Sequence, residues 1–310
     1  MTTRPNVFDE IDLTRARTEA EWLARLDEIG DELGVFEPLG TQHAAFFADG
    51  NDTLLVSFES VAQIRSTRLD QRPLGQVIAQ RHGWSSLTML ARAPRWYRDS
   101  EVLDFFDAQI DEGFFDSFAR VLFYGEGMHG YAACAFSLAA PGATVLAIAP
   151  QATLDPDIAP WERRFRSARR FDFRSRFGYA PNMLEGARNV FVVFDPSHKT
   201  EAMHATLFRQ PFVTVLRSPR LGRDTAAGLE RIGVLDTLIE TAARGRLTPP
   251  RFFDMMRKRR QDAAYLKALV KRAANRGHQA LTVIAARAAM AQGASAPHTA
   301  PSEADTAPAD

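Results

Sequence analysis

The segment Phe123-Tyr-Gly-Glu-Gly-Met-His-Gly-Tyr-Ala-Ala133 holds the residues whose types and spacing come nearest to a catalytic device. A strand that ends in Gly-x-Z-x-Gly and opens into a helix of small residues is a nucleophile elbow, with residue Z on a strained turn above the sheet. Glycines serve such a turn because the strand and helix backbones approach closely and the torsions are sparsely allowed. Position Z is Gly127, which has no nucleophile to offer. Glu126 and His129 stand on either side of it. At a helix start the macrodipole favours a carboxylate and depresses imidazole protonation, so Glu126 reads first as a cap-region residue. For His129, a pocket residue and a plain helix-start residue fit equally.

Other chemistry-bearing residues are sparse. His198 and His204 lie six apart, a poor helical spacing for one metal site, and no Asp/Glu/His set with ligand spacing joins them. No metal and no other cofactor is expected. The single cysteine, Cys134, falls in the apolar helix behind the turn and reads as a small buried hydrophobe. Ser85 and Ser86 read as strand-capping residues, and the arginines Arg163, Arg164, Arg166, Arg169 and Arg170 as a solvated face or part of a lid.

With its flanks, the turn resembles the α/β-hydrolase superfamily, in particular bacterial members found beside surface-polysaccharide genes. Those carry an elbow of the form Gly-x-Ser-Met-Gly-Gly-Tyr-Ala-Ala, preceded by a Trp-Tyr pair and followed by a strand ending in Pro-Gln and an aspartate. Here the pieces are Trp96-Tyr97, Gly125-Glu-Gly-Met-His-Gly-Tyr-Ala-Ala133 and Pro150-Gln-Ala-Thr-Leu-Asp155, in the same order. The resemblance spans roughly residues 50–225. It implies that Asp195, after the strand Asn189–Phe194, stands in the place of the catalytic acid. It puts Arg223 where the base histidine would be, and an arginine keeps its proton at neutral pH. By the same resemblance Phe58 and Glu59 lead into the oxyanion loop, making their backbone amides candidates for an anion or carbonyl site. Together with Glu126, Gly127, Met128 and Arg223 they form the candidate binding set, and a displaced catalytic set would use His129, or Glu126, together with Asp195.

The function this implies is a catalytically degenerate hydrolase-fold protein with a binding or accessory role, toward a small molecule or glycan in surface-glycan assembly or modification. An O-acyl esterase or acyltransferase with a displaced site is the alternative. Reduction of phosphoadenosine phosphosulfate is not supported, because the chain has neither a Ser-Gly-Gly-Lys-Asp-Ser type phosphate loop nor a cysteine near its C-terminus.

The elements needed to position these residues follow from periodicity. Short apolar runs at 52–58, 86–91, 120–124, 143–148, 189–194 and 212–216 alternate with helical segments, the pattern of a parallel sheet covered by helices. Helices are expected near 99–113, 129–140, 161–169 and 201–208, and throughout 224–290. The expected fold is a doubly wound, mostly parallel α/β sheet with a helical C-terminal extension. Its parts are an acidic helical segment at 1–50, the core at 51–224, a basic helical layer at 225–290 and a disordered tail at 291–310.

Composition sets the outer limits. Lys and Arg number 38, Asp and Glu also 38, giving 310 residues with a net charge of zero, which disfavours a surface devoted to nucleic acid. The zero is a cancellation: residues 1–52 hold twelve acidic and four basic residues, whereas 244–290 hold twelve basic and two acidic ones. Either the two poles meet, or the run Arg257, Lys258, Arg259, Arg260 is a surface for an anionic partner. No run of apolar residues is long enough for a membrane span, and none follows the first arginine as in a secretory signal, so a cytoplasmic protein is expected.

Overall fold

In a computed structural model, which describes residues 7–222 and 224–293, the chain is built on one eight-stranded sheet. The strands are β1 (Gly34–Leu39), β2 (His43–Ala48), β3 (Asn51–Ser60), β4 (Trp84–Ala91), β5 (Arg120–Glu126), β6 (Thr144–Ile148), β7 (Asn189–Phe194) and β8 (Val213–Arg217). Their order across the sheet is β1-β2-β4-β3-β5-β6-β7-β8. From β4 to β8 every neighbouring pair is parallel, and only β2 runs against the other strands, pairing antiparallel with both β1 and β4. This is the doubly wound, mostly parallel sheet read from the sequence.

The helices are α1 (Val7–Glu10), α2 (Glu19–Leu33), α3 (Val61–Thr67), α4 (Leu74–His82), α5 (Ser100–Asp111), α6 (Met128–Phe136), α7 (Lys199–Leu207), α8 (Thr225–Arg231), α9 (Leu235–Ala243), α10 (Pro249–Met255), α11 (Ala263–Asn275) and α12 (Gln279–Gly293). Strand residues alternate between two cores, as a period of two requires. Phe123 of β5, Val145 and Ala147 of β6 and Val192 of β7 pack with Phe106 and Phe136 on one face. Leu122, Leu146, Ile148 and Val193 pack with Leu229, Leu238, Ile239 and Phe252 on the other. Burial on both faces explains why the central strands are continuously apolar.

Three local expectations are corrected. The segment 1–50 is not helical throughout, because the chain leaves α2 at Leu33 and forms the antiparallel pair β1–β2 at the sheet edge. Gly40, at φ 61°, makes the turn between them, and Phe46 is buried against Trp22, Leu26 and Ile29 of α2. The helix expected at 161–169 is absent: only a short 3-10 turn forms, at Arg166–Arg170. Pro156 and Pro160 cannot donate to a helix, and the Asp155 and Glu162 carboxylates accept the backbone N–H groups of Asp157 and Arg164 instead. Likewise α6 stops at Phe136, short of Ala140, where Ser137 Oγ donates to the Cys134 carbonyl.

The acidic pole lies on α2 beside β1 and β2, where Glu19 pairs with Arg92, while the basic pole pairs locally, through Arg244–Glu240 and Arg257–Asp254. Among the described residues no ion pair joins the two poles. No helix of the described residues is long and apolar enough to cross a membrane. The tail residues 294–310 lie outside the described residues.

Candidate functional site

Because the chain goes from β3 outward to β4 and then back across to β5, the winding direction reverses between β3 and β5. In open α/β sheets ligands bind in the crevice at the carboxyl ends of strands at such a reversal. A cavity of about 520 Å³ lies there. Its walls include Phe58 and Glu59 from β3, Tyr124 and Glu126 from β5, His129 from α6, and Asp224, Ala226 and Glu230 at α8.

The strand-to-helix turn is formed by glycines with distinct duties. Gly127, at φ 56° and ψ −118°, adopts the strained torsions the turn demands, and its N–H donates to the Ile148 carbonyl at 2.8 Å. A Cβ on Gly127 would find only the Gln151 amide, 3.8 Å away. Gly125 is different, since a Cβ there would lie 2.2 Å from the His129 carbonyl oxygen. Gly130 sits between the Gly125 and Ile148 carbonyls, which lets α6 lie close on the sheet. Gln151 is buried, with its Oε1 lacking a hydrogen-bond partner. In the sequence Pro150-Gln151 stands out only as part of a motif, with nothing local to show that the glutamine faces the turn.

Within the cavity the titratable groups are held away from their ordinary charge states. Burial presses His129 down to about 4, so its imidazole is neutral, and its buried Nε2 has no partner. Glu126 is pushed well up by burial and by the neighbouring Asp224 carboxylate, although the Ala226 N–H donates to it at 3.0 Å. Asp224 is the N-cap of α8, accepting from Ala227 N. Glu59 is also raised by burial, against the N–H groups of Leu74 and Gly75 and the Ser57 hydroxyl that donate to it. The backbone of Phe58 and Glu59 lies in register with β4, and the carboxylate stands beside it, so this corner is a poor site for an anion.

Glu126 gives a signed test. A carboxyl whose native pKa is raised contributes stability at low pH that is lost as pH rises past the unfolded value. Glu126→Gln cannot ionise and keeps an acceptor for Ala226 N–H. Its melting temperature should exceed the parent's at about pH 8 and converge on it near pH 4. His129 has the opposite sign, its contribution being lost as pH falls from the ordinary imidazole range through about 4.

The candidate residues divide between two places. Phe58, Glu59, Glu126 and His129 line one cavity, with Gly127 on the turn and Met128 packed partly buried against the core. Asp195 lies elsewhere, on the wall of a second cavity of about 570 Å³. It is buried and accepts hydrogen bonds from Ser197 N, Ser197 Oγ and Arg220 N. Neither of these two cavities contains both Asp195 and His129 among the described residues, and Arg223 lies outside them. Trp96 and Tyr97 are buried at φ 53° and 54°, and the Tyr97 hydroxyl donates to the Glu59 and Met89 carbonyls, tying the ends of β3 and β4 together. Cys134 is buried and its thiol is pushed up by burial.

A buried pair that spacing had not revealed lies nearby. His204 and Glu162 are both inaccessible and 3.0 Å apart, and His204 Nδ1 accepts the Ala152 N–H. Burial keeps the imidazole below its ordinary value, which makes it a neutral link pinning the irregular 151–170 segment to α7. Among the described residues no group of three or more His, Cys, Asp or Glu side chains could hold a metal ion.

The eight-stranded, mostly parallel sheet, with its tight β5–α6 turn and C-terminal helices, defines an α/β-hydrolase fold. No family model matches the chain, and no curated protein matches it. Solved structures similar to it include the capsule O-acetyltransferase of Neisseria meningitidis serogroup A, 12% identical with a TM-score of 0.42, covering 64% of this chain and 92% of that one. Carboxyl esterase 2 from the mycorrhizal fungus Tuber melanosporum is 12% identical with a TM-score of 0.44, covering 68% of this chain and 84% of the other. MPT51 of Mycobacterium tuberculosis is 14% identical with a TM-score of 0.40, covering 68% and 98%.

Proposed function

We propose that this chain is a catalytically degenerate α/β-hydrolase-fold protein that binds a small hydroxyl-bearing molecule, neutral or cationic, in the cavity between β3 and β5. The observation that carries the reading is Gly127: the residue at the turn has the strained torsions of a nucleophile position and no side chain. Acyl transfer on this fold needs a hydroxyl or thiol there and a histidine to take its proton. No histidine occurs between His204 and His278, so the segment after β8 supplies none.

The lining argues for the ligand class. Among the described lining residues Glu59, Asp70, Glu126, Asp224 and Glu230 face one permanent cation, Arg68, which lies 3.7 Å from Asp70 and 3.6 Å from Glu230. Carboxyl groups accept hydroxyl and ammonium donors, and Phe58, Tyr124 and Leu74 offer apolar surface to a sugar ring. A glycan building block, in the surface-glycan setting that the sequence resemblance suggests, fits this chemistry.

A second reading, an O-acyl esterase or acyltransferase with a displaced site, draws on one observation, the neutral, unpartnered Nε2 of His129 in the same cavity as Glu126. Against it stands the lack of a freed nucleophile. Ser60 caps α3, accepting from Gln63 N, the Thr67 hydroxyl donates to the Gln63 carbonyl, and burial holds the Tyr124 phenol well above its usual value.

Thermal-shift titration with glucose, glucosamine and glucuronate tests the binding reading. Glucosamine and glucose should raise the melting temperature and glucuronate should not, and the exposed substitution Ala227→Trp, at the cavity wall, should abolish the shift. Stabilisation by glucuronate alone, or a shift untouched by Ala227→Trp, would overturn it.

A further inference from the structure

Farther along the same carboxyl edge of the sheet, a second cavity carries the opposite charge. The second cavity opens where the carboxyl ends of β7 and β8 meet α11, and it is walled by Arg220, Lys271, Arg272 and Arg276 together with Ser197, His198 and Asn275. Lys271, Arg272 and Asn275 follow Ala268 at spacings of three, four and seven, which puts them on one face of α11. We propose that this cavity binds a small molecule through a phosphoryl group.

Four observations support the assignment. Among the described residues Arg220, Lys271, Arg272 and Arg276 enter no ion pair, whereas many of the other arginines do. The Nε of Arg220 is buried and has no hydrogen-bond partner, a donor left without an acceptor in the protein. Arg220 is also one of few non-glycine residues in the left-handed region, at φ 69°, and its backbone N–H is fixed by Asp195 at 2.6 Å. Strain of this kind persists only where the surroundings over-determine it. Asp195, the one carboxylate among the described wall residues, is engaged by three neutral donors and forms no ion pair with the four cations, which outnumber it.

A helix C-terminus alone would favour cations, because its last carbonyls are partly negative. At α11 those carbonyls are already taken: Arg272 and Ala273 accept from Arg276 N, Ala273 also from His278 N, and Ala274 from Gly277 N. The side-chain donors therefore remain for a ligand. Arginine forks and a lysine ammonium are the usual partners of phosphoryl oxygens, and a volume of about 570 Å³ suits a small molecule rather than a polymer strand.

The run Arg257 to Arg260 is the less suitable anion site. Arg257 pairs with Asp254, Lys258 donates to the Gly233 carbonyl and Arg259 lies over the Tyr265 ring.

Calorimetric titration of the full chain with inorganic pyrophosphate at low ionic strength tests the proposal. Saturable binding is expected, weakened about tenfold or more by the exposed double substitution Lys271→Glu/Arg276→Glu and within about twofold of the parent in Arg257→Glu/Arg260→Glu. No saturable binding, equal loss in both double variants, or unchanged binding in Lys271→Glu/Arg276→Glu would each overturn it. The site is separate from the cavity beside His129, so either can fail alone.

Discussion

Gly125→Ala should destabilise the fold severely. A methyl group at this position would lie 2.2 Å from the His129 carbonyl oxygen and 2.4 Å from its carbon, both backbone atoms of the first turn of α6. Real Cβ atoms do not sit so close, and the neighbour is no flexible side chain that could swing away. Either β5 or α6 must move. Gly130, 3.1 Å by the same measure from the Gly125 carbonyl and 3.2 Å from that of Ile148, leaves α6 no room to shift along the sheet. The cost belongs with severe overpacking, on the order of 4 kcal/mol or more, and a fall in melting temperature on the order of 10 °C. Gly127→Ala is the matched control. Its Cβ meets only Gln151, at 3.8 Å, so only the left-handed torsion is penalised, by roughly 1–2 kcal/mol. Circular-dichroism melts of the two variants should differ severalfold in effect. Equal effects would mean that close approach of strand and helix is not what makes the turn.

This contrast also shows how far the sequence can be read. Gly-x-Gly with a following small-residue helix told of a strand, a tight turn and a close-packed helix, because each demand excludes most side chains locally. The central strands were legible for the same reason: burial on both faces admits little but apolar residues, as in Thr144–Ile148. The edge was not. In β1 the pattern Gly-Val-Phe-Glu-Pro-Leu is largely exposed and holds a proline, so it resembles a loop until β2 pairs with it. The 161–169 segment misled in the other direction, since its arginines suit a helix face. The carboxylates of Asp155 and Glu162 compete for the backbone, and Arg174 is drawn across to pair with Asp155.

Site residues were legible where one motif placed them. Glu126, Gly127 and His129 share a turn, so their juxtaposition is local. Asp195 depends on how two loops at the far side of the sheet are arranged, and order along the chain does not state which cavity a loop will face. The structure puts Asp195 with Arg220 and the α11 cations rather than with His129. The link between His204 and Glu162 bridges 42 residues and leaves no spacing signal at all. Charge showed a similar limit. Summed along the chain it gave two poles, whereas in space an acidic cavity lies at the sheet centre and the freest cations lie on α11, not in the run at 257–260.

The second large effect concerns catalysis itself. An esterase on this scaffold accelerates hydrolysis by about 10⁶-fold or more, a gain that rests on an activated nucleophile and a base acting together. Gly127 provides no oxygen or sulfur to attack a carbonyl. His129 is neutral and could accept a proton, yet the hydroxyls that share its cavity are a capping serine, the Thr67 hydroxyl, which donates to the Gln63 carbonyl at 2.8 Å, and a phenol held un-ionised by burial. The hydrolysis of p-nitrophenyl acetate and butyrate by the purified protein near neutral pH is the most direct measure of this claim. The rate should match the uncatalysed background and should be unchanged by His129→Gln. Multiple turnover by the parent that Gly127→Ser fails to raise and His129→Gln abolishes would contradict the account, and would make the cavity between β3 and β5 an active site built on His129.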